Sequence, residues 1–511
     1  MSVHLGLESL SLCLKIGAMK NELALKQRIA ELEKLLAQKD AHIAALEARW
    51  RLAQQKQFGK SAEGFVGDGE LFNEVEEIVE EVKAEQQSAK AVRKKPVRKP
   101  LPKNLPREQV IHDITDKVCD CCGGELHKMG EDKSEKLEFI PAQIKVIEHI
   151  RPKYACRHCD KSSTHTPIKQ AAMPSMPINK GIATASLLTQ LITSKYQYGL
   201  PLYRQEAMFK QYGIELSRQS MSSWIDKSAT LFAPLVERLK GELLKQPALF
   251  ADETPLKVVK SDKVNSYMWV YCSGRDAPEP KNTIPNIVLY DFHNSRAASC
   301  VVDYLDGYAG YLHVDGYQAY GKTDATLIGC WAHARRKFIE AKTLQGKNKI
   351  GKADVVLTLI QKLYGVESRI KDKSADEKYI TRQSVSLPIL NKLKIWVEQN
   401  QPNLVGNSKL IDAVKYLANQ WHKLIRYIDD GRLSIDNNRA ERAVKPFVIG
   451  RKNWLFSQTA NGAHASATLY SIVETAKVNS LIPYDYICAC LDELCQAAPD
   501  IDSLLPWNFK K

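Results

Sequence analysis

A chain of 511 residues is too long for one hydrophobic core, so three or four structural units are expected. Its composition, 44% hydrophobic and 26% charged, is that of a folded soluble protein, and no run approaches the ~20 uninterrupted apolar residues of a membrane span. The 73 Lys+Arg against 59 Asp+Glu leave a formal charge of +14, which favours a polyanionic partner because basic surface displaces counterions from a phosphate backbone.

Residues 1–20 show neither the basic start nor the small-residue cleavage site of an export signal, so a cytoplasmic protein is expected. Residues 1–55 then read as an oligomerisation helix. Leu25, Ile29, Leu32, Leu36, Ile43, Leu46 and Trp50 keep a heptad seam, broken only by Lys39, which predicts a coiled coil and hence a homo-oligomer. A single amphipathic helix packed on the body of the protein fits the same stripe.

Residues 56–105 change character. An acidic stretch (Glu70, Glu74, Glu76, Glu77, Glu80, Glu81) gives way to a basic, proline-rich run (Arg93, Lys94, Lys95, Pro96, Arg98, Lys99, Pro100). Clustered like charge and proline oppose a packed core, so a solvated linker is expected, either lying along DNA or acting only as a tether.

The next unit, 106–170, carries Cys119-x-x-Cys122 and Cys156-x-x-Cys159. Each pair can present two thiolates from one tight turn, and two such turns make a closed tetrahedral site for one structural Zn²⁺. The apolar run 144–150 is a strand candidate for such a ribbon. Cys121 could compete with Cys122, and His127, His158 and His165 are substitute ligands.

Residues 171–245 read as helical. A helix over 202–212, a turn at Gly213 and a second helix over 218–228 capped by Ser217 form a plausible helix-turn-helix. Arg218, Gln219, Ser222 and Ser223 would then start a recognition helix that reads base edges. Three-helix packing without DNA contact fits equally well.

From 246 to 456 the pattern becomes mixed α/β. Strand-like runs occupy 248–251, 266–271, 286–290, 310–314 and 325–329, with a helix around 296–305 between the third and fourth. A helical stretch follows over about 340–430, where Leu410, Val414, Leu417, Trp421, Leu424 and Ile428 make a core-facing stripe. Short strands and a helix are expected around 436–456, and two helices, near 465–478 and 484–497, fill the region 457–511.

Three motifs put a carboxylate beside a strand or at a helix start. They are Phe250-Ala251-Asp252-Glu253-Thr254-Pro255, His313-Val314-Asp315-Gly316-Tyr317 and Asp436-Asn437-Asn438-Arg439-Ala440-Glu441-Arg442, the last read as an Asp-capped helix with Glu441 one and a half turns in. Phosphodiester cleavage with two divalent ions needs such acids, which hold the ions about 3.5–4 Å apart while one activates water or a 3′-hydroxyl. Mg²⁺ suits the task because it takes few carboxylates and keeps positions for phosphate oxygens. Any one of these acids taken alone is an ordinary surface Asp or Glu.

At these residues the chain resembles the insertion sequence 66 group of bacterial transposases. The likeness rests on Ala251-Asp252-Glu253-Thr254-Pro255, Asp315-Gly316-Tyr317-Gln318-Ala319-Tyr320, Cys330-Trp331-Ala332-His333-Ala334-Arg335-Arg336-Lys337-Phe338 and Asn437-Asn438-Arg439-Ala440-Glu441-Arg442-Ala443, and on their order. Cys121 departs from the family's usual Cys-Pro-x-Cys turn. The resemblance implies an RNase H-like core of DDE type with Asp252, Asp315 and Glu441 as catalytic triad and ligands of two Mg²⁺ ions. It also implies a helical insertion between Asp315 and Glu441, possible accessory proteins from the same element, and a place on the bacterial nucleoid. His333, Arg335, Arg336, Lys337, Arg439 and Arg442 are candidate DNA contacts, with ordinary solvated helix charge as the plainer reading.

The fold expected is therefore multidomain α/β, an RNase H-like mixed sheet preceded by a coiled coil, a zinc ribbon and a helix-turn-helix-like domain. The function expected is binding of element ends followed by metal-dependent strand cleavage and transfer into target DNA. A catalytically silent zinc-containing regulator derived from a transposase is the alternative, and a metal-free carboxylate hydrolase is a more distant one, separable by its indifference to EDTA.

Overall fold

A computed structural model describes residues 143–155, 168–261, 265–275, 284–343, 351–401 and 409–509, with a few isolated positions besides. The expected coiled coil, the charged linker and the four zinc-ribbon cysteines Cys119, Cys122, Cys156 and Cys159 lie outside the described residues.

The first described pairing is a small antiparallel ribbon, β1 (Lys153–Ala155) with β2 (Ile168–Gln170). The run 144–150, expected as a strand, is not one. Among the described residues it forms no regular pairing, and it exposes Ile144, Val146, Ile147 and Ile150. Its apolar residues gave the strand signal, but a strand also needs a partner for its backbone groups.

Three helices follow: α1 (Ala185–Tyr196), α2 (Leu202–Gln211) and α3 (Arg218–Leu243). Gly213 takes φ +73° in the turn after α2, a backbone region that glycine enters without penalty. The Ser217 side chain accepts from the Ser220 N–H at 3.1 Å and caps α3 as the sequence indicates. α3, however, runs well past the expected end at 228. Ser228 donates back to the Trp224 carbonyl at 2.8 Å, satisfying its hydroxyl inside the helix, and the buried stripe continues through Phe232, Leu235, Leu239 and Leu243.

The centre is a five-stranded mixed sheet of β3 (Ala248–Leu256), β4 (Ser266–Ser273), β5 (Ile287–His293), β6 (Tyr311–His313) and β7 (Thr326–Ile328), in the order β5-β4-β3-β6-β7. β3, β4 and β5 are antiparallel, while β6 runs parallel to β3 and β7 parallel to β6. All five strands fall on the expected runs, and the short helix α4 (Ala298–Tyr304) on the expected helix.

The edge at β5 is closed by a helix. α11 (Ala460–Val478) lies along it, and its Ser471 and Thr475 hydroxyls accept the backbone N–H groups of Tyr290 and Val288 at 2.8 and 3.1 Å. Thr475 also donates to the Val288 carbonyl, so side chains complete the ladder where no further strand exists. α10 (Asn438–Trp454) packs across β3 and β4, and α12 (Pro483–Leu494) packs on α1. Where strands were expected to resume around 436–456 there is one continuous helix, and nearby a lone bridge joins Val258 to Ser457.

Between β7 and α10 the chain builds a second core of helices: α5 (Trp331–Thr343), α6 (Lys352–Arg369), α7 (Ala375–Thr381), α8 (Leu387–Asn400) and α9 (Lys409–Leu424). Val414, Leu417, Leu424 and Ile428 of the expected stripe are buried in this core, with Leu410 and Trp421 at its margin. No helix among the described residues is long and apolar enough to cross a membrane.

Candidate active site

The register of the parallel pair sets the site. Phe250 of β3 stands opposite His313 of β6, and the two rings stack at 4.4 Å. Asp252 and Asp315 each lie two residues further on, where the ladder between the strands has ended. Side chains alternate with period two, so the two acids stand at matching heights just past the β3–β6 ladder: Asp252 within β3, opposite Val270 of β4, and Asp315 beyond the carboxyl end of β6. Both are only partly buried, so this end of the sheet is open to solvent.

Glu441 comes from a distant part of the sequence. It lies in the first turn of α10, nearer the helix start than expected, and is 1% exposed. Asn437 precedes that helix, and its Nδ2 donates to the Ala251 carbonyl at 2.8 Å, one residue before Asp252. The helix start is thereby tied to the strand that carries the first acid. Asp436 does not cap α10 directly. Its carboxylate accepts from the Asn438 N–H at 3.2 Å and from Tyr364 at 3.1 Å, forming the tight turn into the helix.

The charge on Asp252 is sensitive to the other two acids. Burial holds the Asp252 carboxyl well above its ordinary range, and the negative charges of Glu253, Asp315 and Glu441 push it the same way. A backbone hydrogen bond from Glu253 N at 2.8 Å opposes the rise. Asp315 accepts from the Tyr317 N–H at 2.8 Å, which fixes the turn that presents it. Carboxylate oxygens of this kind are the donors that a hard divalent cation such as Mg²⁺ takes.

Four further residues explain why these motifs read as they do. Glu253 is raised by burial and by Asp315, yet its own oxygens are engaged: Tyr320 donates to Oε2 at 2.5 Å and Arg296 Nε to Oε1 at 3.0 Å. The Arg296 guanidinium lies 3.7 Å from the Tyr317 ring centroid, and Tyr317 donates to the Arg296 carbonyl at 2.5 Å. Glu253, Arg296, Tyr317 and Tyr320 therefore bind the Asp315 turn to β3. Gly316 is required by proximity, since a Cβ there would meet Tyr416 of α9 at 2.9 Å. None of these roles was read from the sequence; Glu253 beside Asp252 and the two tyrosines after Asp315 were the available signal.

The turn ahead of α5 is clamped from several sides. Gly329 N donates to the Lys423 carbonyl at 3.0 Å, Trp331 Nε1 to the Leu424 carbonyl at 2.8 Å, and Asn437 N to Cys330 Sγ at 3.3 Å. His333, on the first turn of α5, stands 3.4 Å from Glu441 Oε1, and Cys330 Sγ 3.8 Å from the same oxygen. Burial, with Arg336 and Lys337 nearby, lowers the His333 pKa to about 4, so the imidazole is neutral near pH 7.

Of the expected DNA contacts, Arg218, Gln219, Ser222 and Ser223 are exposed at the start of α3, where Arg218 pairs with Glu206 at 2.9 Å. Arg335, Arg336 and Lys337 are partly exposed on α5, and Lys337 lies 5.0 Å over the Tyr416 ring. Arg442 is exposed on α10 and lines a groove of about 270 Å³ with Tyr198, Lys445 and Lys477. Arg439 is different. It is 5% exposed and donates to the Ser273 carbonyl at 3.2 Å, so it packs in the interior and is withdrawn from any groove-facing role.

Comparison with known proteins agrees with this layout. Residues 180–465 match the description "Transposase IS66 family", residues 116–160 "zinc-finger binding domain of transposase IS66", residues 45–110 "Transposase C of IS166 homeodomain", and residues 471–507 "IS66 C-terminal element". Among full-length relatives from Sinorhizobium fredii, the uncharacterized protein y4jD is 34% identical over 79% of this chain and 80% of its own length. The uncharacterized protein y4qI is 35% identical over 76% and 74%. The chain belongs to the IS66 family of transposases. Its zinc-finger match suggests Zn²⁺ for the segment that carries the two C-x-x-C pairs.

Proposed function

We propose that this transposase binds the ends of its mobile element and cleaves and joins DNA strands with Mg²⁺ held by Asp252, Asp315 and Glu441. The observation that carries the reading is the Asp252 carboxyl, driven upward by burial and by three other acids that come from β3, the end of β6 and a helix more than a hundred residues away in sequence. The sheet order β5-β4-β3-β6-β7, an antiparallel meander continued by two parallel strands, supports an RNase H-like core with the acids at its centre.

In this reading Asp252, Asp315 and Glu441 would be the residues that hold the ions, Asp252 and Asp315 partly exposed and Glu441 buried. Bound Mg²⁺ supplies a nucleophile at neutral pH and stabilises the leaving oxygen. The protein's own work is positional. Asn437 fixes the Glu441 helix against β3, and the Glu253–Arg296–Tyr317–Tyr320 network fixes the turn of Asp315. The basic side chains Arg335, Arg336 and Lys337 on α5, and Arg442 on α10, are suited to phosphate oxygens of the bound DNA. Arg218, Gln219 and Ser222 are suited to reading the element end. The Cys119, Cys122, Cys156 and Cys159 thiolates are the ligands proposed for one structural zinc, and the N-terminal heptads are the proposed oligomer contact.

The test is a cleavage and strand-transfer assay on element-end duplex in Mg²⁺, comparing wild type with Asp252→Asn, Asp315→Asn and Glu441→Gln. Each variant is expected to bind DNA and to lose about 10³-fold or more of the cleavage rate. Full activity in any one removes that residue from the mechanism, and wild-type protein that binds without nicking is a silent regulator.

A further inference from the structure

The strand-cleavage reading leaves two soft donors beside Glu441 without a role. Cys330 ends the turn ahead of α5 and His333 follows three residues on, the spacing that puts two side chains on one side of a helix. Both face the same carboxylate, and one ligand atom from each of Cys330, His333 and Glu441 lies within 4.8 Å of the others. Around zinc, sulfur sits at about 2.3 Å and imidazole or carboxylate at about 2.0–2.1 Å, so tetrahedral neighbours stand ~3.3–3.5 Å apart. The separations from Glu441 Oε1, 3.4 Å to His333 and 3.8 Å to Cys330, are close to those values.

The surroundings are those of a built site. Cys330 and Glu441 are each 1% exposed, and the backbone on either side of Cys330 is held by Lys423 and Ile435. The His333 side chain is 22% exposed, which leaves a side open for an entering ion and a fourth ligand. A thiol needed only to hydrogen-bond a carboxylate would not require an imidazole on the same oxygen.

We propose that Cys330, His333 and Glu441 form a binding site for a thiophilic divalent ion such as Zn²⁺, separate from the Cys119/Cys122/Cys156/Cys159 module. Binding displaces the Cys330 thiol proton to solvent, because the thiolate is the ligand. Three protein donors leave one position open, unlike the closed four-cysteine module. Since Glu441 is shared, an ion held here draws that carboxylate away from Asp252 and Asp315, and Zn²⁺ then antagonises Mg²⁺-dependent cleavage. That last clause rests on the proposed function; the site itself does not.

The probe is Co²⁺, titrated into the full-length chain carrying Cys119→Ser, Cys121→Ser, Cys122→Ser, Cys156→Ser and Cys159→Ser, so that no ribbon thiolate remains. The expected result is one equivalent with thiolate-to-cobalt charge-transfer absorption. Adding Cys330→Ser abolishes the band, and adding His333→Ala weakens binding by more than the roughly 10- to 100-fold that an outer-shell loss costs. A band that survives Cys330→Ser, or no thiolate band before it, overturns the site. Should Cys330→Ser unfold the chain, as circular dichroism would reveal, zinc-soaked wild-type crystals decide: an anomalous peak bonded to Cys330 Sγ is expected, and none overturns the proposal. Zinc inhibition is read separately at fixed Mg²⁺. Binding without inhibition overturns the shared-Glu441 clause, whereas a wild-type chain that never cleaves DNA defeats the proposed function and leaves the cobalt result standing.

Discussion

Two charged side chains in this protein are handled in opposite ways. Arg382, in the helical insertion, is 2% exposed and has every donor placed: Nε and Nη2 on the two oxygens of Glu367 at 2.9 and 2.7 Å, Nη1 on the Tyr427 and Asp430 carbonyls, and Nη2 also on Leu433. At Asp252 the neighbouring charges are Glu253, Asp315 and Glu441, and all of them oppose its ionisation. The first arrangement is complete within the chain and holds the loop that leads into α10. The second has no compensating charge among those that act on Asp252, which is what the proposed cation would supply. A closed hydrogen-bond inventory marks a structural charge, and a cluster of like charges on rigid elements marks a functional one.

That contrast predicts opposite signs for neutralising substitutions. Arg382→Ala or Glu367→Gln leaves a buried partner uncompensated and is expected to destabilise by about 3–5 kcal/mol in denaturant titrations. Asp252→Asn is expected to stabilise the metal-free protein near pH 7. The sign follows from linkage: an acid whose folded pKa is raised favours the fold while protonated and loses that contribution as pH climbs through the ordinary carboxylate range toward the folded value. Destabilisation by Asp252→Asn in metal-free buffer would break the comparison.

Gly316→Ala probes the packing between the two regions. Its Cβ would meet the Tyr416 ring, so a loss of about 1–3 kcal/mol is expected, together with slower cleavage as the Asp315 turn shifts. Wild-type stability and rate in this variant would mean that α9 does not set the turn.

A smaller effect belongs to His313, which is fully buried against Phe250 with its pKa lowered to about 3 by burial. Its neutral form stabilises the fold above pH 6.5, the ordinary histidine value, and that contribution is lost as pH falls from 6.5 toward 3. The expected slope is ~1.4 kcal/mol per pH unit, absent in His313→Gln. Equal slopes in both proteins would show that His313 is not held neutral.

The sheet was legible because its strands are runs of β-branched and aromatic residues with turn residues between them; Asp315 does stand just past its strand, whereas β3 continues through Asp252 to Leu256. The helical stretch between β7 and α10 was legible from the α9 stripe, which has a strong one-sided apolar face. What escaped was decided by tertiary contacts. Arg439 sits in a basic motif and reads as surface, yet it shares a helix face with Ala443 and Phe447, both buried; that periodicity was the missed signal. Arg382 sits in the helical stretch among polar neighbours, with nothing local to indicate that Glu367 and three carbonyls would enclose it. Cys330 and His333 meet Glu441 only because the insertion returns the chain to the end of β7.

The central claim, that these acids are gathered to share a cation, is tested most directly by thermal unfolding with and without Mg²⁺. Wild-type protein is expected to gain about 2.7 kcal/mol of stability at a Mg²⁺ concentration of about one hundred times Kd, and Asp252→Asn and Asp315→Asn to gain little. An equal Mg²⁺ gain in wild type and both variants, or none in the wild type at concentrations that support cleavage, would contradict it.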